Sequence, residues 1–182
     1  DLQYYVFKGD ETGRSLMRAL RDAAARGVRV RLLIDDLYTA GDEEVLLGLA
    51  AHAGLEVRLF NPFEVGRHSL VTRLAGALLG SERLHRRMHN KLLVADGIFA
   101  IAGGRNVADA YFIRSEDQGF VDFDVLVAGA VVAEMAATFD PYWNSEHSID
   151  VREVLRDDLP AAERRARFAT LVADVCSTSI CV

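Results

Sequence analysis

The sequence predicts an α/β domain, and three observations carry that expectation. Strand, helix, strand, helix and strand patterns alternate from Leu2 to Phe60, at the spacing that crossover connections need. Apolar residues make up 51% of the 182 and charged residues 26%, a mix that can bury a sizeable core. No internal repeat or low-complexity segment interrupts the pattern, and no domain boundary shows before about residue 148. Largely parallel strand pairing is the expectation.

Leu2 to Phe7 is an apolar, aromatic run and reads as a buried strand. Asp10 and Thr12 supply cap chemistry, Leu16, Leu20 and Ala23 recur at helical spacing, and Gly27 sits where that helix ends. Val28, Val30, Leu32 and Ile34 alternate with Arg29, Arg31 and Leu33 as a strand does. Asp42, Glu43 and Glu44 place acid in the first turn of a second helix, which Gly54 closes, and Leu55 to Phe60 is the next strand. A loop around Asn61-Pro62 leads to a helix from about Arg67 to Leu79. Met88 to Ala95 and Ile98 to Ala102 read as strands joined by an Asp96-Gly97 turn. Asn106 is placed to cap a short helix through Tyr111. Asp122 to Ala128 is a strand, Val131 to Trp143 a helix, and the polar tail after Ser148 ends in a helix near Pro160 to Val175.

Composition excludes several classes. Lys plus Arg is 21 and Asp plus Glu is 27, a net charge of −6, which disfavours wholesale nucleic-acid coating. The two cysteines, Cys176 and Cys181, fall near the end and read as free thiols. The longest apolar stretch, Val125 to Phe139, contains Glu134 and is too short to span a bilayer. No signal peptide is visible. The chain starts without Met and already in a strand pattern, so it reads as a piece of a longer protein whose N-terminal anchor is an open question. Lysine is rare: all basic residues but Lys8 and Lys91 are arginine, a hint that a compact three-donor charge is needed somewhere.

The informative segment runs from Met88 to Asn106. On a strand, His89 and Lys91 point to one face with Leu93, while Leu92 and Val94 face the other way. A histidine and a lysine at the end of an apolar strand are costly unless they meet water, a counter-charge or a ligand. An imidazole can attack an electrophile or move a proton near neutral pH, and an ammonium beside it can hold an anion such as phosphate. Gly103 and Gly104 allow backbone to approach a bound group closely, and Asn106 adds an amide donor at a helix N-terminus. Plainer readings stand beside these. Asp96-Gly97 between apolar runs is a hairpin turn. Asn106 can be an N-cap. Arg105 is a phosphate contact or a solvated arginine. His85, Arg86 and Arg87 line an approach for a headgroup or form a solvated basic run. His52, His68 and His147 read as surface residues, and Tyr142-Trp143 as helix-end packing.

These residues resemble the phospholipase D superfamily, whose signature is His-x-Lys-x4-Asp-x6-Gly-Gly/Ser-x-Asn. His89, Lys91, Asp96, Gly103, Gly104 and Asn106 meet it at every spacing. Asp1-Leu2-Gln3-Tyr4-Tyr5, Gly27-Val28-Arg29-Val30-Arg31-Leu32-Leu33, Val57-Arg58-Leu59-Phe60-Asn61-Pro62-Phe63 and Arg86-Arg87-Met88-His89-Asn90-Lys91 look like the N-terminal lobe of bacterial cardiolipin synthases, the C type in particular. Phe139-Asp140-x-Tyr142-Trp143-Asn144-Ser145 looks like the same group's helix end. The resemblance implies a phospholipase D-like α/β sandwich, a mixed sheet flanked by helices, over residues 1–147. It makes residues 148–182 a connector and helix towards an absent second lobe.

The resemblance also implies a two-step phosphodiester exchange that uses no metal and no cofactor. One motif histidine attacks phosphorus, the other motif's histidine protonates the leaving alcohol, and water or an alcohol attacks the phosphohistidine. His89 would be the nucleophile or its acid–base partner, grouped with Lys91 and Asp96 as catalytic, although Asp96 reads more simply as a turn residue. Lys91 and Asn106 would hold the non-bridging oxygens, with Gly103, Gly104 and Arg105 in support. Asp122 matches the position whose carboxylate orients the motif histidine, with Asp124 on the same strand face as the alternative. The implied partners are a phospholipid of the phosphatidylglycerol or phosphatidylethanolamine type, a membrane surface, and a second phospholipase D lobe or a homodimer partner. The implied location is the periphery of a bacterial cytoplasmic membrane, with the piece itself soluble.

The chain departs from the two-motif pattern in one respect. Lys8 is the other lysine and Val6 stands two before it, so no second His-x-Lys exists here. Three functions compete on that basis: half of a phosphatidyltransferase, a single-motif homodimeric phosphodiesterase or nuclease, and an isolated lobe without activity. The charge and the flanking segments count against nucleic acid as the substrate.

Overall fold

In the computed structural model, which describes residues 1–63, 71, 87–115, 119–156 and 158–173, seven strands form one sheet. They are β1 (Leu2–Tyr4), β2 (Val30–Asp35), β3 (Leu55–Phe60), β4 (Lys91–Ala95), β5 (Phe99–Gly103), β6 (Asp124–Ala128) and β7 (Ser148–Asp150). The helices are α1 (Glu11–Ala25), α2 (Glu43–Ala50), α3 (Val131–Trp143), α4 (Val151–Leu155) and α5 (Ala161–Ala173). The strand order is β6-β5-β4-β1-β2-β3-β7.

The sheet is mixed, and parallel pairing is the minority. Among the described strands, β1–β2 and β2–β3 are the parallel pairs, joined by the crossovers α1 and α2. The pairs β1–β4, β4–β5, β5–β6 and β3–β7 are antiparallel. The Asp96-Gly97 turn explains part of this. Both residues have positive φ, 54° and 66°, and the tight turn they make between Ala95 and Phe99 sends β5 straight back along β4.

One face of the sheet buries α1, α2 and α5. Helix α1 starts where the Asp10 carboxylate accepts the Gly13 N–H at 3.1 Å. Met17, Leu20 and Ala24 then turn inward at helical spacing. Helix α2 is buried along nearly its whole length, because α5 lies over it. A Cβ on Gly48 would press into Phe168 and the Arg164 carbonyl, so the glycine sets how closely these helices approach. On the opposite face, α3 covers Leu33, Phe60 and Met88 with Phe139 and Trp143, and covers Leu92, Val94 and Ala100 with Val132. Arg58 lies over the Trp143 ring at 4.4 Å and donates to its carbonyl, so Tyr142-Trp143 is helix-end packing, as expected.

Part of the chain beyond residue 147 packs on the sheet. Strand β7 extends the sheet beside β3, and Val151, Phe168 and Val172 join the same core as α1 and α2. Strand β7 and helices α4 and α5 thus pack with the rest of the lobe. Phe168→Ala should therefore lower the unfolding free energy by about 3–5 kcal/mol. Urea denaturation of the chain checks this, and a change under about 1 kcal/mol would mean that α5 is not part of the cooperative core.

Other boundaries shift as well. Strand β1 ends at Tyr4, and Phe7 makes only an isolated bridge to Val107. Strand β4 begins at Lys91, β5 at Phe99 and β6 at Asp124, each later than expected. The short helix expected from Asn106 is a 3₁₀ turn over Asp109–Tyr111 preceded by Ala108, so Asn106 does not cap it. His52 and His147 lie half-buried at the surface, against Phe168 and Phe60. The expected helix over 67–79, His68, His85, Arg86, Cys176 and Cys181 lie outside the described residues. No helix among the described residues is long and apolar enough to cross a membrane.

Candidate active site

Tyr4 pairs with Ile34 on one side and with Lys91 on the other. The ends of β1 and β2 and the start of β4 therefore meet at one end of the sheet. The carboxyl ends of parallel strands are where open α/β sheets commonly hold ligands. A cleft of about 730 Å³ opens there, and its lining includes Tyr5, His89, Lys91, Asn106, Tyr111 and Asp122.

His89 precedes β4 instead of lying within it, which corrects the same-face argument. The pair is nonetheless assembled, because Lys91 turns back on the histidine. Its Nζ stands 3.0 Å from His89 Nδ1 and donates to the His89 carbonyl at 2.8 Å. The His89 ring is exposed and rests 4.5 Å from the Tyr5 ring, centroid to centroid. An ammonium can only donate, so Nδ1 is the acceptor and the neutral imidazole carries its proton on Nε2. Burial, and then the Lys91 charge, hold the His89 pKa below the usual imidazole value. Burial also lowers the Lys91 pKa, while the Asp122 carboxylate opposes that shift. The result near neutral pH is an uncharged imidazole at the mouth of a cleft, beside a cation. An uncharged imidazole suits attack on phosphorus or uptake of a proton, and the cation beside it suits an anionic phosphodiester.

Asn106 is buried, at 3% exposure, and its amide bridges distant segments. Its Oδ1 accepts the Val6 N–H at 3.0 Å and its Nδ2 donates to Tyr111 Oη at 2.8 Å. An amide nitrogen has two protons, so one is left beyond the tyrosine bond for a group in the cleft. The two glycines have a structural reason beyond the one expected. A Cβ on Gly104 would collide with the Asp122 carboxylate, and one on Gly103 with the Phe123 carbonyl and Asp124. Their bareness lets the segment before β6 close over the end of β5 and brings Asp122 into the cleft.

Of the two candidate acids, Asp122 lines the cleft, while Asp124 accepts the Arg105 N–H at 3.2 Å within the sheet. The Asp122 carboxylate accepts the Phe123 N–H at 2.9 Å, and its charge acts on Lys91. The structure does not bring Arg105 and Asp96 to the cleft lining. Arg105 donates from Nε to the Asp122 carbonyl at 3.0 Å and lies 5.8 Å from the Phe112 ring. Asp96 sits exposed in the hairpin turn at the far end of β4, about 15 Å along the strand from Lys91. Its place there is that of a turn residue, because β4 carries it away from the motif's start.

Several cleft residues carry no motif signal. Tyr5 packs between the rings of His89 and Tyr38, at 4.5 and 5.4 Å. Burial, with the neighbouring Tyr38, pushes the Tyr5 pKa well up, so it stays a neutral phenol. Lys8 lines the cleft too, donating to the Tyr38 carbonyl at 2.6 Å with Asp42 at 3.8 Å. The rarity of lysine was the one signal that could have singled it out.

A family model described as cardiolipin synthase, phospholipase D-like domain, matches residues 1–143. Cardiolipin synthase C of Escherichia coli (strain K12) is 44% identical over 168 residues, covering 92% of this chain and 34% of that protein. The major cardiolipin synthase of Bacillus subtilis (strain 168) is 33% identical over 144 residues, 79% of this chain and 27% of that protein. The chain thus spans about a third of the length of the curated relatives it matches. Among solved structures, a phospholipase D family member, Nuc from Salmonella typhimurium, superposes with a TM-score of 0.53 at 18% identity. That match covers 82% of this chain and 78% of the other, and it shows a shared fold.

Proposed function

The chain belongs to the phospholipase D-like domain family of cardiolipin synthases, and we propose that it is one half of a phosphatidyltransferase working through a phosphohistidine. The observation that carries this reading is the His89–Lys91 pair, 3.0 Å apart at the mouth of an open cleft. The substrate is a phospholipid of the phosphatidylglycerol or phosphatidylethanolamine type, met at the periphery of a bacterial cytoplasmic membrane. Lys91 and the free Asn106 proton bind the non-bridging oxygens. When the phosphate takes the Lys91 ammonium, Nδ1 is released and can carry the ring proton, with Asp122 beside the pair to favour it. His89 Nε2 then forms a bond to phosphorus as the bond to the leaving alcohol breaks. The second motif's histidine supplies that alcohol's proton. In the return step an acceptor alcohol gives its proton to the same histidine and its oxygen to phosphorus, and the N–P bond breaks. This chain holds one motif histidine, His89, so alone it performs no turnover.

An exposed apolar surface supports a second lobe. Leu93, Ile101 and Leu126 are paired across β4, β5 and β6, on the sheet face that also carries Lys91. Ile101 is 37% exposed, Phe99 50% and Leu126 72%. A surface of that kind is stable in water when something covers it. The double change Ile101→Glu with Leu126→Lys is expected to leave the melting temperature of this chain unchanged and to collapse turnover in the complete protein. Full turnover in that variant would remove this face from the lobe interface.

The direct test is to incubate the complete protein with phosphatidylglycerol vesicles. Cardiolipin and free glycerol are the expected products, and a phosphatidyl label should be retained on the protein after acid-free quenching. Cleavage of DNA without lipid turnover would replace this reading by the single-motif phosphodiesterase. That phosphodiesterase requires this chain to sediment with the mass of two copies, whereas half of a two-lobed enzyme sediments as one.

A further inference from the structure

We propose that Asp35, more than fifty residues before the motif, is the positioning residue of this site: its carboxylate fixes the two residues that stand immediately before His89. The inference rests on the catalytic reading of His89 given above. Asp35 is the last residue of β2 and is fully buried. Its carboxylate accepts from the Leu37 N–H at 2.9 Å, from Arg87 Nη1 at 3.2 Å and from the Met88 N–H at 2.9 Å. Two of those three donors belong to the residues that lead into His89. Arg87 also donates to the Asn61 carbonyl at 3.1 Å and lies over the Phe63 ring at 4.3 Å. The Met88 side chain is buried with Leu33, Phe60, Phe139 and Trp143.

The physical need for such a clamp is plain. Ladder pairing of β4 with β1 begins only at Lys91, so the backbone of His89 has no strand to hold it. Strand β2 is hydrogen-bonded on both sides, to β1 and to β3, and so is a firm post. A carboxylate at its end, reaching across to residues 87 and 88, transfers that rigidity to the exposed histidine. Stability alone is a poor reason for the arrangement. A buried ion pair is commonly no better than apolar residues of the same volume. This one also leaves Arg87 Nε and Nη2 buried without a partner among the described residues. Burial outweighs Arg87 and the two N–H donors and pushes the Asp35 pKa up to about 6. What the pair supplies instead is a single geometry.

The test combines two readouts. In this chain, labelled with ¹⁵N-histidine, the His89 ring signals are assigned by their loss in His89→Ala. In the complete protein, kcat and KM are measured on phosphatidylglycerol vesicles. Asp35→Asn keeps the volume but sets an amide N–H₂ against one of the three donors. The His89 ring signals should shift and broaden while the other histidines stay in place, and kcat should fall about 10- to 100-fold with KM unchanged. Arg87→Met, which keeps the Met88 bond, should give a smaller change in the same direction and decides the matter if Asp35→Asn does not fold. A folded variant with wild-type His89 signals overturns the proposal. An inactive wild-type protein would overturn the phosphatidyltransferase reading, and the ring signals would still decide the role of Asp35.

Discussion

His89→Ala in the complete protein should lower phosphatidyl transfer by about 10⁴-fold, the upper end of what one positioned proton-transfer group contributes, and should leave the fold intact. The fold survives because the His89 side chain is exposed and rests against the Tyr5 ring and Lys91 at the mouth of the cleft, outside the core. Turnover is lost because no other described imidazole lines the cleft. The pH dependence has a definite sign. Burial and the Lys91 charge both disfavour the imidazolium. The free ring nitrogen therefore persists down to a pH below the ordinary imidazole range, and the acid limb of the single-turnover rate falls there. Removing the Lys91 charge would move that limb upward. Substantial residual transfer in the alanine variant would mean that His89 neither attacks phosphorus nor moves a proton.

Lys91→Arg should cost about 10²- to 10³-fold in kcat, the loss typical of a missing transition-state donor, although charge is conserved. The ammonium has three protons. Two are directed to His89 in the resting site, at Nδ1 and at the carbonyl. When phosphate binds, the proton on Nδ1 turns to it with the third, and the carbonyl bond keeps the ammonium in place. A planar guanidinium cannot fold back on the residue two before it and still present a donor to the cleft. The measurement is kcat on phosphatidylglycerol vesicles, with the melting temperature as control. An arginine variant within about tenfold of wild type would mean that charge alone suffices, a difference of only about 1.4 kcal/mol in the barrier.

The motif was legible because its spacing is local. His89, Lys91, Gly103, Gly104 and Asn106 follow one another along a hairpin, and a hairpin's register converts sequence spacing into spatial proximity. The same rule removes Asp96 from the site, since the residue at the turn lies farthest from the strand start that carries Lys91. The pairing of Asn106 with Val6 was not legible, because the two are 100 positions apart and neither side chain signals the other. Asp35 was hidden for the same reason. An acid at the end of an apolar strand reads as a solvated strand end until the fold shows Arg87 and Met88 folded over it.

By itself the sequence determined the periodic elements and the chemistry-bearing hairpin. The β3 span Leu55–Phe60 and the α3 span Val131–Trp143 lie where the pattern puts them. Periodicity of two or 3.6 residues is a property of the backbone that each short segment expresses alone. Only the tertiary structure decided which strand edges meet. It placed β1 between a parallel and an antiparallel neighbour, drew β7 and α5 into the lobe, and closed the segment before β6 over Gly104. Those outcomes depend on contacts between residues tens of positions apart, where burial and backbone hydrogen bonding are shared by the whole chain.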